Sequence, residues 1–218
     1  MNLKRPAFTM IELVMVIVVL GVLAALAMPR MERDLRQEAG DNILSAIRYT
    51  QHLALTDNKT NPDSLNWQRA FWQIRFSNPG GEWLYSIGSN RDLGNNLDQN
   101  ESAVEMNSGK FLHSANASPA DDDESPDIFL TNKYGINSVV LNACAGTAGL
   151  TPNHIAFDYL GRPHRGVTQG ASNDFRTLIH SNSPDCTITF GFADGSTNLV
   201  INILRETGYA FIQGQPNS

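Results

Sequence analysis

From Leu13 to Met28 the chain carries no charged or strongly polar side chain, so the run is apolar all the way round. Counted from Phe8 to Met28 it has 21 residues; as a helix rising ~1.5 Å per residue it reaches about 30 Å, the thickness of a bilayer's hydrocarbon. That pattern predicts a membrane-spanning helix over residues 8–29. Lys4 and Arg5 precede it and favour a cytoplasmic N-terminus, although Arg30 and Arg33 on the far side weaken the asymmetry. After Pro29 the pattern changes. Leu35, Ala39, Ile43, Ile47 and Ala54 recur at helical spacing among Glu32, Asp34, Arg36 and Glu38, which describes an amphipathic helix over 30–56. Proline inside a helix removes one hydrogen bond without necessarily ending it. One kinked helix from about Phe8 to Leu55, about 70 Å long, is therefore expected, its second half lying on the rest of the chain.

Residues 57–218 alternate short apolar runs with turn chemistry. Asn61-Pro62-Asp63-Ser64 reads as a loop leaving the helix. Ala70 to Phe76 and Trp83 to Ile87 are rich in aromatic and branched residues, and Asn78-Pro79-Gly80-Gly81 between them predicts a hairpin. From about 88 to 125 Asn, Asp, Ser and Gly dominate. This segment reads as a polar insertion or mobile loop, with one short strand around Lys110 to His113. Ser138 to Leu141, His154 to Phe157, Thr187 to Phe192 and Asn198 to Leu204 then read as strands of a C-terminal antiparallel sheet. The fold class that follows is α+β, a long N-terminal helix packed on an antiparallel β-sheet body.

The net charge of −6 and the scattering of the basic residues exclude a nucleic-acid footprint of the usual kind. Two cysteines, Cys144 and Cys186, without a C-x-x-C or histidine-rich setting, argue against zinc. No nucleophile elbow, phosphate loop, H-E-x-x-H pair or dinucleotide fingerprint is present, and His52, His113, His154, His164 and His180 show no metal-ligand spacing. No enzyme and no cofactor are expected. Asp121-Asp122-Asp123-Glu124 could bind a hard cation such as calcium but lacks the ligand alternation and glycine of a calcium loop, and a solvated acidic loop is the favoured reading.

The anomaly is Glu12, a carboxylate within the apolar segment, where a charge costs about 3 kcal/mol unless paired. No cationic side chain between Phe8 and Met28 can pair with it. The partner must come from a new chain terminus, another subunit or the lipid interface. Ala7-Phe8-Thr9-Met10-Ile11-Glu12-Leu13 resembles the class III signal of type IV prepilins and type II secretion pseudopilins. The resemblance implies that a prepilin peptidase cuts between Ala7 and Phe8 and methylates the new amine of Phe8. It implies further that Glu12 neutralises the Phe8 amine of a neighbouring subunit, and that Pro29 is the proline that kinks or locally melts the family's helix. Ala7 stands where the family usually has glycine.

The implied setting is the bacterial inner membrane, with membrane lipid, other pilin or pseudopilin subunits and an inner-membrane assembly platform as partners, and with the body in the periplasm. In that oxidising compartment a Cys144–Cys186 disulfide is the economical assignment, two buried thiols or intermolecular bonds being the alternatives; the position resembles the C-terminal staple of many pilins. His154 to Asp158 followed by Tyr159-Leu160-Gly161-Arg162-Pro163 resembles the strand and glycine turn of minor pilins and minor pseudopilins. That moves the expectation from a major fibre subunit to a minor one.

Other readings stay open. Ala25-Leu26-Ala27 closes an apolar run as a secretory signal does, and a plain membrane anchor needs none of the assembly features. A filament-tip module binding DNA or a surface ligand would draw on Arg162, Arg165, His164 and Arg176, the one local basic group. Removing residues 1–7 leaves fourteen basic against 22 acidic residues, so the charge of −8 opposes a polyanion.

Overall fold

The computed structural model describes residues 9–64, 66–94, 96–119, 121–144, 153–165, 167 and 185–215, excepting the side chains of 25–34 and 153. The chain divides into two compact units, Met1–Glu38 and Ala39–Ser218. Helix α1, Met10–Thr56, contributes to both, and its helical assignment continues through Pro29. Among the described residues no helix is long and apolar enough to cross a membrane. The expected span runs from Phe8 to Met28, and Phe8 and the side chains from 25 onward lie outside the described residues.

In the first unit the apolar run is helical, and each large apolar side chain from Met10 to Leu23 is 47–89% exposed. Leu35 is exposed as well.

The second unit is built around the remainder of α1. Ala39, Ile43, Ile47 and Ala54 are buried at the spacing that defines one helix face, with Leu44, Ala46 and Thr50 beside them. Gly40 permits the close approach of this face to the sheet: a Cβ there would stand 3.0 Å from Ile212 and 3.2 Å from Leu199. The helix stops at Thr56, whose hydroxyl donates back to the carbonyls of His52 and Leu53.

Among the described residues eight strands form two antiparallel sheets. β1 (Trp72–Ser77), β2 (Leu84–Ser89), β4 (Asn153–Phe157) and β5 (Pro163–His164) make one, in the order β2-β1-β4-β5. β3 (Ile136–Asn142), β6 (Cys186–Phe192), β7 (Leu199–Ile203) and β8 (Ala210–Ile212) make the other, in chain order. The α+β class and the antiparallel pairing agree with the sequence. The expected hairpin is present as β1–β2, turned by Pro79–Gly81 with Gly80 and Gly81 at positive φ.

One strand is placed differently. β4 was grouped by sequence with the C-terminal sheet, but it pairs with β1, Ile74 opposite Ile155. His154, Ile155, Ala156 and Phe157 are buried on both faces of the strand, as a central position requires. A single core joins the sheets to the helix, with Phe76 and Phe190 in edge-to-face contact at 5.6 Å. A smaller cluster of Trp67, Phe71, Ala156 and Val167 packs on the other face of the first sheet.

Beyond the end of β2 at Ser89 the polar segment 88–125 contains no further regular strand among its described residues, yet it is stitched to β2. Ile87 donates to the Leu112 carbonyl and accepts from Ala103, both at 2.8 Å. Phe111, within the expected short strand, makes only isolated bridges to Val104 and Glu124. Asp98 and Glu101 form a capping box, and the buried Glu101 carboxylate accepts from the Arg91, Asp92 and Asp98 amides. A carboxylate that satisfies three backbone donors fixes a loop that has no hydrophobic period of its own.

Candidate functional site

The start of α1 carries the residues with the sharpest functional reading. Thr9 is the residue before the helix and Glu12 the third residue in it. The Glu12 carboxylate accepts from the Thr9 amide at 3.0 Å and from the Thr9 hydroxyl at 2.9 Å, while the Glu12 amide donates to Thr9 Oγ1 at 3.3 Å. This is a reciprocal capping box, in which each side chain satisfies a backbone donor that the helix leaves open. The carboxylate is solvent-facing in the isolated chain. It therefore has a local, uncharged partner in Thr9 at the start of its own helix. Ala7 and Phe8 lie outside the described residues, and so does the side chain of Pro29.

The glycine turn after β4 is a second constellation. Asp158 is fully buried at the strand's end. Its Oδ1 accepts from the amides of Leu160 (3.0 Å) and Arg162 (2.9 Å), and its Oδ2 from the Arg162 guanidinium (2.8 Å). His164, also fully buried, places Nε2 3.0 Å from the same Oδ2 and packs its ring on Phe71 at 5.2 Å. Burial by itself would push the Asp158 carboxyl up, but the hydrogen bonds from His164 and Arg162 outweigh it and hold the group at about 2.

Gly161 closes the turn at φ 75°. Its carbonyl accepts from Gln51 of α1 at 2.8 Å, and Gln51 also donates to Thr207 at 2.8 Å. Gly208 lies so close that a Cβ there would overlap the Gly161 carbonyl oxygen. One helical glutamine thus ties a turn of each sheet to the helix.

No family model, curated protein or solved structure matches this chain. Its functional residues are accordingly read from geometry and from the sequence motifs. Cys144 and Cys186 are joined by a disulfide, with Cα atoms 5.1 Å apart and both residues fully buried. The bond sits beside the last β3–β6 pair, Asn142 opposite Thr187. Arg162 is committed to Asp158, whereas Arg165 is exposed; Arg176 and His180 lie outside the described residues. Among the described residues no group of three His, Cys, Asp or Glu side chains could hold a metal. Asp123 of the acidic stretch accepts from Gln99 at 3.0 Å and supplies its carbonyl to Phe111.

Two of these assignments had legible signals. Thr9-x-x-Glu12 is the sequence form of a capping box, and the Asp158 to Arg162 spacing of four places opposite charges across a turn. Asp98-x-x-Glu101 likewise has the capping-box form, whereas the Gln51 bridge has no local signature.

Proposed function

We propose that this chain is a structural subunit of a type IV pilus or a related filament, a minor pilin or type II secretion minor pseudopilin. On this reading it is cut by a prepilin peptidase between Ala7 and Phe8 and assembles through its N-terminal helix. The observation that carries the proposal is the first unit: a helix whose large apolar side chains from Met10 to Leu23 are exposed on every side, headed by Glu12. Such a surface is stable only in lipid or against other apolar helices. A carboxylate at its head gives neighbouring helices a charge to recognise. The disulfide-stapled body of helix and antiparallel sheets is compatible with a pilin-like fold and with a periplasmic or extracellular location.

The mass of the mature N-terminus tests the proposal. N-methylated Phe8 supports it, Met28 points to conventional secretion, and intact Met1 to a plain anchor; either of the last two sinks it. The capping box adds a finer test. Glu12→Gln keeps an acceptor for Thr9 but removes the charge, whereas Glu12→Ala removes both. Pairing with a neighbour's Phe8 amine requires that both variants are processed and both fail to enter filaments. Normal incorporation of Glu12→Gln would show that only the cap matters.

A further inference from the structure

Along β1, Ile74 and Phe76 enter the main core, and Gln73, Arg75 and Ser77 take the opposite face. There Arg75 stands across from Ser86 of β2 and His154 of β4. Arg75 is only 5% exposed. Its Nε donates to Gln73 Oε1 at 3.2 Å, and its buried Nη2 has no acceptor among the described residues. The ion pairs among the described residues do not include it. Glu101 is the acidic group that acts on it, but that carboxylate already serves three backbone amides. Burial lowers the guanidinium to about 10, which leaves it charged at neutral pH.

A buried cation held by one neutral hydrogen bond is poorly compensated, and the ordinary remedy is an anion beside it. A cavity of about 280 Å³ opens at that place. Arg75, Ser77 and Ser86 form the strand side, and Leu97, Asp98 and His113 of the 88–125 segment form the other. The Ser77 and Ser86 hydroxyls make no hydrogen bond among the described residues. Burial holds the His113 imidazole below its ordinary value, the nearby Arg75 charge working in the same direction.

We propose that this cavity binds a small carboxylic acid in its monoanionic form. The carboxylate meets the guanidinium fork and the two serine hydroxyls, and the short aliphatic part lies against Leu97. The size sits just below the lower edge of ordinary ligand cavities, about 300 Å³, which restricts the ligand to a small molecule. Asp98 on the wall and Glu101, whose charge acts on Arg75, set the charge. They leave room for one negative charge and repel the second charge of phosphate. The site lies wholly within the second unit and does not depend on how the N-terminal helix is used.

Isotopically labelled full-length protein in detergent micelles tests the proposal at pH 7 and constant ionic strength. Titration with propionate should give saturable shifts of the Ser86 amide and His113 ring resonances. Arg75→Met should weaken propionate by about tenfold or more, the loss expected when a charged hydrogen bond is removed. If Arg75→Met fails to fold, the Ser77→Ala/Ser86→Ala double variant carries the test and should weaken binding with its melting curve kept. Non-saturating shifts, or an unchanged affinity in the folded variants, overturn the site. Tighter binding of inorganic phosphate than of propionate overturns the monoanion assignment.

Discussion

Asp158→Asn is the perturbation that tests the glycine turn most directly. Asparagine has nearly the same shape and keeps an oxygen for the Leu160 and Arg162 amides. It replaces the other oxygen, which meets the Arg162 guanidinium at 2.8 Å and His164 at 3.0 Å, by an amide that also donates. The native carboxyl is held at about 2, against 3.8 for a free aspartate. Because the folded value is the lower one, the stabilisation is fully present above 3.8 and is lost as the pH falls toward 2. A difference of just under two pH units, at about 1.4 kcal/mol each, makes the charged form worth about 2.5 kcal/mol to the fold.

Urea unfolding of the full chain in micelles, followed by tryptophan fluorescence, gives the comparison. Asp158→Asn should be less stable than the wild type by about 2.5 kcal/mol near pH 7, and the gap should narrow between about pH 4 and pH 2. Other carboxylates titrate in both proteins and cancel in the difference. A gap that stays constant down to about pH 2, or no gap at neutral pH, would refute the reasoning.

The remaining predictions concern packing and covalent closure. Gly208→Ala places a Cβ on the Gly161 carbonyl at a backbone with φ 69°, so melting should show a loss of about 2 kcal/mol or more. Gly195→Ala, at φ 74° with no atom within 4 Å, isolates the backbone cost and should lose about 1 kcal/mol; equal losses would deny the Gly161 contact. Cys144→Ser with Cys186→Ser opens a cross-link spanning 42 positions and should cost about 4 kcal/mol in chemical denaturation. A loss below about 1 kcal/mol would show that the unfolded chain is barely restrained by it. Gly88→Ala would bring a Cβ to 2.6 Å from Leu97 and 2.7 Å from the Glu101 carbonyl. Hydrogen exchange of the Ala103 and Leu112 amides should then accelerate while the β6–β7 amides keep their protection.

Much of the fold is legible locally. The buried face of α1 repeats every three to four residues, and the β1–β2 hairpin is announced by Asn78-Pro79-Gly80-Gly81. Pairing between distant strands is not announced. β4 shows no alternation because both its faces are covered, so nothing in His154 to Phe157 distinguishes β1 from β6 as its neighbour. The five-residue helix Leu130–Tyr134 is too short for a period, although Gly135 at φ 71° caps it and could have marked its end. β8 has three residues and is defined only by pairing with β7.

The candidate sites divide in the same way. Charge composition singled out Arg162 as a ligand-binding candidate, and the fold sets Asp158 against it. Arg75 drew no notice in sequence because a lone arginine in a strand is usually solvent-facing. Its burial comes from the 88–125 segment folding over that face, which is a tertiary fact.

The 88–125 segment also covers the outer margin of β2. An outer strand with open amides and carbonyls is a template on which another chain can add. Ala103 and Leu112 occupy the hydrogen-bonding positions of Ile87, and Phe129 bridges Leu84. The Asn- and Asp-rich loop therefore acts as a guard against strand-swapped or amyloid-like pairing at this margin. Its lack of apolar alternation, which makes it look dispensable in sequence, is what keeps it from offering a new adhesive edge in turn.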